Sequence, residues 1–216
     1  CLVGSEMCIR DRLLTEGLHG MISQVEGLAK ALDLDYFHEK VELNSFWKLI
    51  PPKFTPVKKF VFKNNIKRDF DIIISCGRKS VIPSIYLKKI NSKKIKNIHV
   101  QDPKVNFKNF DYIISPEHDD LRADNVISSK GAIHYLTSEE INEKKNYLLE
   151  KISKDKKIIT LILGGPTKYY EYSNQNLLNI FSKISKQVLN NNFQVIVIPS
   201  NRTPFRICLL YTSPSP

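Results

Sequence analysis

The sequence lacks the features that would place it in a membrane or in several common enzyme classes. No apolar run approaches the roughly 18 residues that a membrane-spanning helix needs. A Gly-x-Ser-x-Gly nucleophile elbow, a complete Gly-x-Gly-x-x-Gly fingerprint and a Walker loop are all absent. The 216 residues include 8 Gly and 42% apolar residues, which excludes collagen, a coiled coil and a wholly disordered tail. One large or two small globular domains fit this length.

Cysteine is scarce as well, and three of the four cysteines lie near the ends of the chain. The chain starts and ends with segments that opposite strands of one short DNA can encode, which indicates read-through of a sequencing adapter. We therefore expect residues 1–12 and 207–216 to be adapter-derived, and the native insert, without its natural termini, to span residues 13–206. Within that insert only Cys76 remains, so the sequence offers no intramolecular disulfide and no cysteine-based zinc site.

Positive charge is in excess, because 33 Lys and Arg residues stand against 22 Asp and Glu residues, a net charge of +11. This balance favours acidic partners, namely phosphorylated ligands, nucleic acid or an anionic membrane surface. No recognisable nucleic-acid-binding module accompanies the charge, so we expect no nucleic-acid partner. The net charge alone does not distinguish phosphorylated ligands from an anionic membrane surface.

Short apolar runs alternate with helical patterns along the insert. The candidate strands are residues 13–17, 36–43, 71–76, 95–100, 112–115, 125–128, 158–163 and 195–198, and the candidate helices are residues 20–32, 80–90, 138–154 and 174–189. This alternation predicts an α/β fold, with a parallel sheet covered on both faces and right-handed crossovers. The basic stretch 151–157 predicts a boundary between a first domain, residues 13–153, and the start of a second domain, residues 154–206.

Ligands of open α/β sheets bind beyond the carboxyl ends of the strands, and the unusual residues of this chain fall there. After the first strand, Gly17 and Gly20 allow a ligand to approach the backbone. The start of the next helix, which holds Gln24, offers free N–H groups to an anion. His19 is placed to act as a general base on a sugar or phosphate hydroxyl. A tight turn with an exposed histidine is the alternative interpretation.

A second glycine turn follows residues 71–76. Gly77 opens this turn, and Arg78 is suited to a bidentate contact with a phosphate or a carboxylate. Ser80 is a candidate for the same ligand, with a cap on the following helix as the favoured alternative. Cys76 is not expected to act as a nucleophile, because no partner base accompanies it.

Carboxylates follow two further strands of the first predicted domain. Asp102, Glu117 and His118 form a candidate acid/base or ligand-binding group. The position of His118 between two carboxylates lacks the i, i+4 spacing of helical metal ligands. We therefore expect neither a metal nor another cofactor at these strand ends.

The last candidate group belongs to the second predicted domain. Gly164 and Gly165 end one strand and fit a diphosphate-binding turn. Arg202 and Thr203 follow the next strand, where the guanidinium of Arg202 can contact the same anion.

Taken in order, these motifs resemble one known family. The residues that carry the resemblance are 15–20, 24, 27–29, 75–80, 99–103, 116–119, 125–127, 131–132, 164–166 and 200–204. They resemble the mitochondrial-fission family named for the plant elongated-mitochondria factor, in its bacterial branch, over essentially residues 13–204.

The resemblance implies a GT-B-like fold of two Rossmann-like domains, similar to nucleotide-sugar glycosyltransferases. It implies that Gly164, Gly165 and Arg202 meet the donor diphosphate and that His19 serves the acceptor side. Most of a second domain is missing from the sequence, so we expect this fragment to be inactive. The expected protein is cytoplasmic and binds a nucleotide-sugar or another phosphorylated small molecule. As an enzyme it would be a metal-independent glycosyltransferase.

A non-enzymatic adaptor at a membrane surface is the alternative function. The plant member of the family is implicated in recruiting a dynamin-like GTPase to mitochondria. In this chain the basic stretch 53–68 around Phe54, Phe60 and Phe62 would suit a peripheral contact with an anionic membrane. A solvated basic face is the competing interpretation of that stretch. The sequence does not identify the sugar donor, the acceptor or the oligomeric state.

Overall fold

The computed structural model describes residues 11–65, 70–91, 95–167, 169–170, 173–190, 192–200, 202–205 and 207. These residues form two compact units, a first unit that runs to Thr137 and a second unit that starts at Ser138. The helix that precedes the predicted domain boundary at residues 153 and 154 groups with the second unit. Most of both predicted adapter segments, and residues 66–68 of the basic stretch 53–68, lie outside the described residues.

The first unit contains one parallel sheet of six strands. Its strands are β1 (Asp11–Thr15), β2 (Tyr36–Lys40), β3 (Ile72–Cys76), β4 (Lys96–Val100), β5 (Tyr112–Pro116) and β6 (Val126–Ser129), and its helices are α1 (His19–Ala31) and α2 (Val81–Ile90). The spatial order is β2-β1-β3-β4-β5-β6, and every neighbouring pair is parallel. The chain moves from β1 to one side for β2 and then to the other side for β3. The sheet therefore has a topological switch point between β1 and β3.

Both faces of this sheet are buried. Leu13 and Leu14 are adjacent in β1, are fully buried, and belong to two different hydrophobic clusters. Successive side chains of a strand point to opposite faces, so one cluster lies on each side of the sheet. α1 contributes Val25 to the cluster of Leu13, and α2 contributes Ile85 to the cluster of Leu14. This two-sided burial explains why the strands are continuous apolar runs, and it confirms the predicted Rossmann-like α/β architecture.

The second unit contains a smaller parallel sheet, in which β7 (Lys157–Leu163) pairs with β8 (Phe193–Pro199). Its helices are α3 (Ser138–Leu149) and α4 (Asn174–Asn190). Leu163, Leu177 and Ile207 form its buried core. Ile158 and Ile162 lie four residues apart on one face of β7 and are both exposed, so that face is uncovered in the described residues.

None of the helices in the described residues has the length and apolar character needed to cross a membrane.

Candidate functional site

A cavity of about 400 Å³ lies at the carboxyl ends of β1, β3 and β4 in the first unit. Glu16 follows β1, Gly77 and Arg78 follow β3, and Gln101 and Asp102 follow β4, and all five line the cavity. The cavity thus lies at the topological switch point between β1 and β3, which is where open α/β sheets bind their ligands. The fold brings three predicted site residues, Gly77, Arg78 and Asp102, to one cavity.

The backbone at Gly77 requires glycine. Its φ is 93° and its ψ is 157°, a region that is essentially restricted to glycine. A Cβ at this position would lie 2.6 Å from Met21 Sδ and 3.2 Å from Glu16 Oε1. The turn therefore keeps the floor of the cavity open between β1 and β3.

Glu16 joins the loop after β1 to the loop after β3. Its Oε1 accepts from the backbone N–H of Lys79 at 2.9 Å, and its Oε2 is 2.7 Å from Lys79 Nζ. The Glu16 side chain is only 12% exposed, so this pair is shielded more than a surface ion pair. The two loops that carry the cavity are held in one arrangement by these contacts.

Arg78 and Ser80 both contribute to the shape of the cavity. The Nη2 of Arg78 donates to the backbone carbonyls of Lys48 and Ile50, each at 2.9 Å, and so fixes the loop between β2 and β3. Ser80 is fully buried, and its hydroxyl donates to the Gly77 carbonyl at 2.8 Å. Ser80 occupies the N-cap position of α2, but its side chain makes no capping bond among the described residues. The predicted cap is therefore wrong, because the hydroxyl turns back to the glycine turn.

Gln24 and Gln101 form an amide pair beside the cavity. Gln24 Oε1 accepts from Gln101 Nε2 at 3.2 Å and from Cys76 Sγ at 3.6 Å. Gln101 has a φ of 82°, which is uncommon for a residue with a side chain. Burial raises the pKa of the Cys76 thiol to about 12, so the thiolate that a nucleophile needs does not form near neutral pH. Gln101 was not predicted as a site residue, and only its position directly after β4 could have indicated it.

Three predicted residues of the first loop do not line the cavity in the described part of the chain. His19 is the exposed first residue of α1, followed by the exposed Gly20. Gly17 has a φ of 84°, and its N–H donates to the Thr15 hydroxyl at 3.0 Å. The same hydroxyl is 2.7 Å from His38 Nε2, and burial lowers the pKa of His38. His38 thus contacts the residue at the end of β1 but does not line the cavity in the described residues.

The carboxylates after β4 and β5 occupy separate places. Asp102 accepts from the Lys104 backbone N–H at 2.8 Å and pairs with the Lys104 ammonium. Glu117 and His118 belong to a one-turn helix (Glu117–Asp119) after β5, are exposed, and do not line the cavity among the described residues. No group of three His, Cys, Asp or Glu side chains suited to a metal ion occurs within the described ranges.

The predicted residues of the second unit lie together at the ends of β7 and β8. Thr203 Oγ1 is 3.0 Å from the Leu163 carbonyl and 2.9 Å from the Gly164 carbonyl, and it accepts from the Ser200 N–H at 2.9 Å. A Cβ on Gly165 would lie 2.5 Å from the Arg202 carbonyl oxygen. Because the Arg202 backbone lies against Gly165, the loops after β7 and β8 form one continuous surface. The Arg202 side chain is exposed on this surface.

A parallel sheet with a switch-point cavity defines a Rossmann-like α/β protein with a candidate ligand site at the strand ends. A family model described as mitochondrial fission ELM1 matches residues 19–210 of the chain. The chain therefore belongs to the mitochondrial fission ELM1 family, and the resemblance drawn from its motifs is confirmed. Comparison of the chain with curated proteins and with solved structures found no match.

Proposed function

We propose that this ELM1-family protein binds a nucleotide-sugar and holds its diphosphate at the strand ends of the second unit. The observation that supports this most is the close approach of the Arg202 backbone and Cβ to Gly165, so that the exposed Arg202 side chain starts at the glycine turn. A glycine turn at a strand end lets phosphate oxygens reach backbone N–H groups, and an adjacent guanidinium supplies the matching charge. Thr203 is a positioning residue in this proposal, since its hydroxyl holds the loop after β8 against the carbonyls after β7.

The proposed reaction is a glycosyl transfer of the GT-B type. An acceptor hydroxyl would attack the anomeric carbon of the sugar, the bond from that carbon to the diphosphate would break, and the nucleoside diphosphate would leave. His19 is the candidate base for the hydroxyl proton, because it is exposed at the carboxyl edge of the first sheet. Arg202 would stabilise the negative charge of the leaving diphosphate.

We expect Arg202→Ala to weaken the binding of a nucleoside diphosphate by about tenfold to a hundredfold. Hydrogen bonds to charged groups contribute about 1.5–3 kcal/mol, which corresponds to that range. Thermal-shift assays and calorimetry with UDP, GDP, ADP and CDP and with their sugar conjugates measure the effect. A true ligand at a hundredfold excess over its Kd adds about 2.7 kcal/mol of stability.

Arg122→Ala is the matched control for this experiment. Arg122 is an exposed arginine of the first unit that pairs with Asp120, so its removal should leave nucleotide affinity unchanged. The proposal fails when none of the nucleotides shifts the melting temperature, or when Arg202→Ala binds them as the unchanged protein does.

A peripheral membrane contact is the second candidate function, and one surface favours it. The described residues of the loop between β2 and β3 include four exposed, large apolar side chains: Phe46, Leu49, Phe54 and Phe60. Trp47 packs against Phe46 and Phe60, with ring centroids 4.9 and 5.8 Å away. Exposed lysines alternate with these residues along the loop: Lys48, Lys53, Lys58 and Lys59. Apolar side chains interleaved with basic ones suit the interface of an anionic bilayer.

For this surface we expect co-sedimentation with vesicles of 70% phosphatidylcholine and 30% phosphatidylglycerol at physiological salt, and little with phosphatidylcholine alone. Replacing Leu49 and Phe54 together by serine should reduce the bound fraction several-fold, because each buried apolar side chain contributes about 1.5–3 kcal/mol. Leu32→Ser alters an exposed leucine at the end of α1 and serves as the control. Equal binding by the double variant and the control would remove the membrane function.

A further inference from the structure

We infer that the cavity at the switch point between β1 and β3 binds an uncharged, hydroxyl-rich ring of the saccharide class rather than a phosphate. The inference deepens the proposed function, because it names the ligand chemistry that the first unit would hold. It depends on the charges, the hydrogen-bond capacity and the apolar walls of this cavity.

The charges that line the cavity balance. Glu16 and Asp102 supply two carboxylates, and Arg78 and Lys104 supply two cations. Lys104 pairs with Asp102, and the Nη2 of Arg78 is held by two carbonyls of the neighbouring loop. A phosphate in this cavity would face two carboxylates, each paired with a lysine, and a single guanidinium whose Nη2 is already bonded to two backbone carbonyls. An uncharged ligand meets no such repulsion.

The remaining hydrogen-bond capacity of the lining includes acceptors as well as donors. A carboxylate offers about four acceptor sites. The structure gives Glu16 two bonds from Lys79, and it gives Asp102 two bonds from Lys104. Gln101 donates to Gln24, and its own amide oxygen is a further acceptor. A sugar hydroxyl both donates and accepts, so it can use these acceptors together with the donors, whereas a phosphate can use only the donors.

Apolar surfaces complete the cavity. Met21, Pro51, Pro52 and Pro103 lie on its walls, where the C–H faces of a sugar ring can pack. A volume of about 400 Å³ is in the usual range of small-molecule sites, roughly 300–1,000 Å³. The positive φ of Gln101 places a strained residue in the same lining, and such strain concentrates at ligand sites.

Saturation-transfer NMR on the whole chain tests the inference, with glucose and N-acetylglucosamine as probes, each beside its 6-phosphate, and with uridine as a nucleoside. We expect transfer to at least one uncharged sugar and weaker transfer to its phosphate. Asp102→Asn should lower the affinity for the uncharged sugar by about tenfold and raise the affinity for the 6-phosphate, because one carboxylate is replaced by an amide. A purely structural role of Asp102 would not reverse the preference.

Gln101→Gly provides a second, independent variant. Glycine adopts a positive φ without strain, so this variant should melt at the same or a higher temperature and still bind the sugar at least several-fold more weakly. Asp124→Asn alters an exposed carboxylate that does not line this cavity and should bind as the unchanged protein does.

Three results would overturn the inference: no transfer to any sugar, tighter binding of the 6-phosphate or of uridine in the unchanged protein, or equal sugar affinity in Asp102→Asn and Asp124→Asn. The experiment with Arg202→Ala tests nucleotide binding by the second unit independently of the sugar experiment. Loss of the sugar site with retained nucleotide binding would therefore reject this inference and leave the proposed function standing.

Discussion

Gly77→Ala is expected to lower the free energy of unfolding of the first unit by about 2–4 kcal/mol. With φ at 93° and ψ at 157°, Gly77 lies in a backbone region that alanine enters only with strain of about 1–3 kcal/mol. The new Cβ would also displace Met21 Sδ, 2.6 Å away, and press on Glu16 Oε1, 3.2 Å away. The end of the methionine side chain can move, so the backbone supplies most of the cost and the displaced methionine reduces the cavity.

Urea unfolding of the two proteins side by side measures this difference. Gly20→Ala is the matched control, because a Cβ at Gly20 meets nothing within 4 Å and the residue is exposed near the start of α1. Alanine is the better helix former, so this control should be neutral or up to about 1 kcal/mol more stable than the unchanged protein. A Gly77→Ala protein within about 0.5 kcal/mol of the unchanged one would show that the turn is not held in this conformation.

Acid is expected to destabilise the first unit through His99. His99 is fully buried, its Nδ1 is 2.8 Å from Ser75 Oγ, and its ring packs at 5.1 Å from the ring of Phe110. Burial lowers the pKa of His99 to about 3, whereas an unfolded histidine titrates near 6.5. Between these values the unfolded chain binds one more proton than the native chain. Stability therefore falls as the pH drops from about 6.5 to about 3, by up to about 1.4 kcal/mol per pH unit, and His99 adds no slope above that window.

Denaturant unfolding at pH 7 and at pH 4.5 tests the role of His99. Glutamine at position 99 keeps an uncharged polar group opposite Ser75 but does not titrate, so the loss between the two pH values should shrink by about 2–3 kcal/mol. His118→Gln removes an exposed histidine and should leave the pH dependence unchanged. Identical pH profiles for the unchanged protein and His99→Gln would contradict this account. So would an NMR titration of the native protein in which the His99 ring takes up its proton near pH 6.

The strands of the first unit could be predicted closely from the sequence. The run predicted at 71–76 is the strand Ile72–Cys76, and the run predicted at 95–100 is the strand Lys96–Val100. Two-sided burial requires these strands to be continuously apolar, so the pattern is strong. The helix predicted at 138–154 ends at Leu149 instead. Its side chains are mostly exposed, and without a packed apolar stripe nothing in the pattern marks its end.

The candidate site was predictable only in part. Gly77 directly follows an apolar run, and a glycine there indicates a turn at the carboxyl end of a strand. The positive φ of Gln101 could not be predicted, because glutamine is not a residue type that signals it. The hydrogen-bond partners of Arg78 could not be predicted either, because the Lys48 and Ile50 carbonyls lie far earlier in the chain.

The alternation of strands and helices, the glycine turns at the strand ends and, through the motifs, the family can all be derived from the amino-acid sequence. The folded structure was needed to show that β3 lies beside β1, which creates the switch point and its cavity. It was also needed to show that Glu16 contacts Lys79 and that the cavity lining carries two charges of each sign. Sequence periodicity depends on neighbours a few residues apart, whereas these contacts join residues that are brought together by the order of the strands in the sheet.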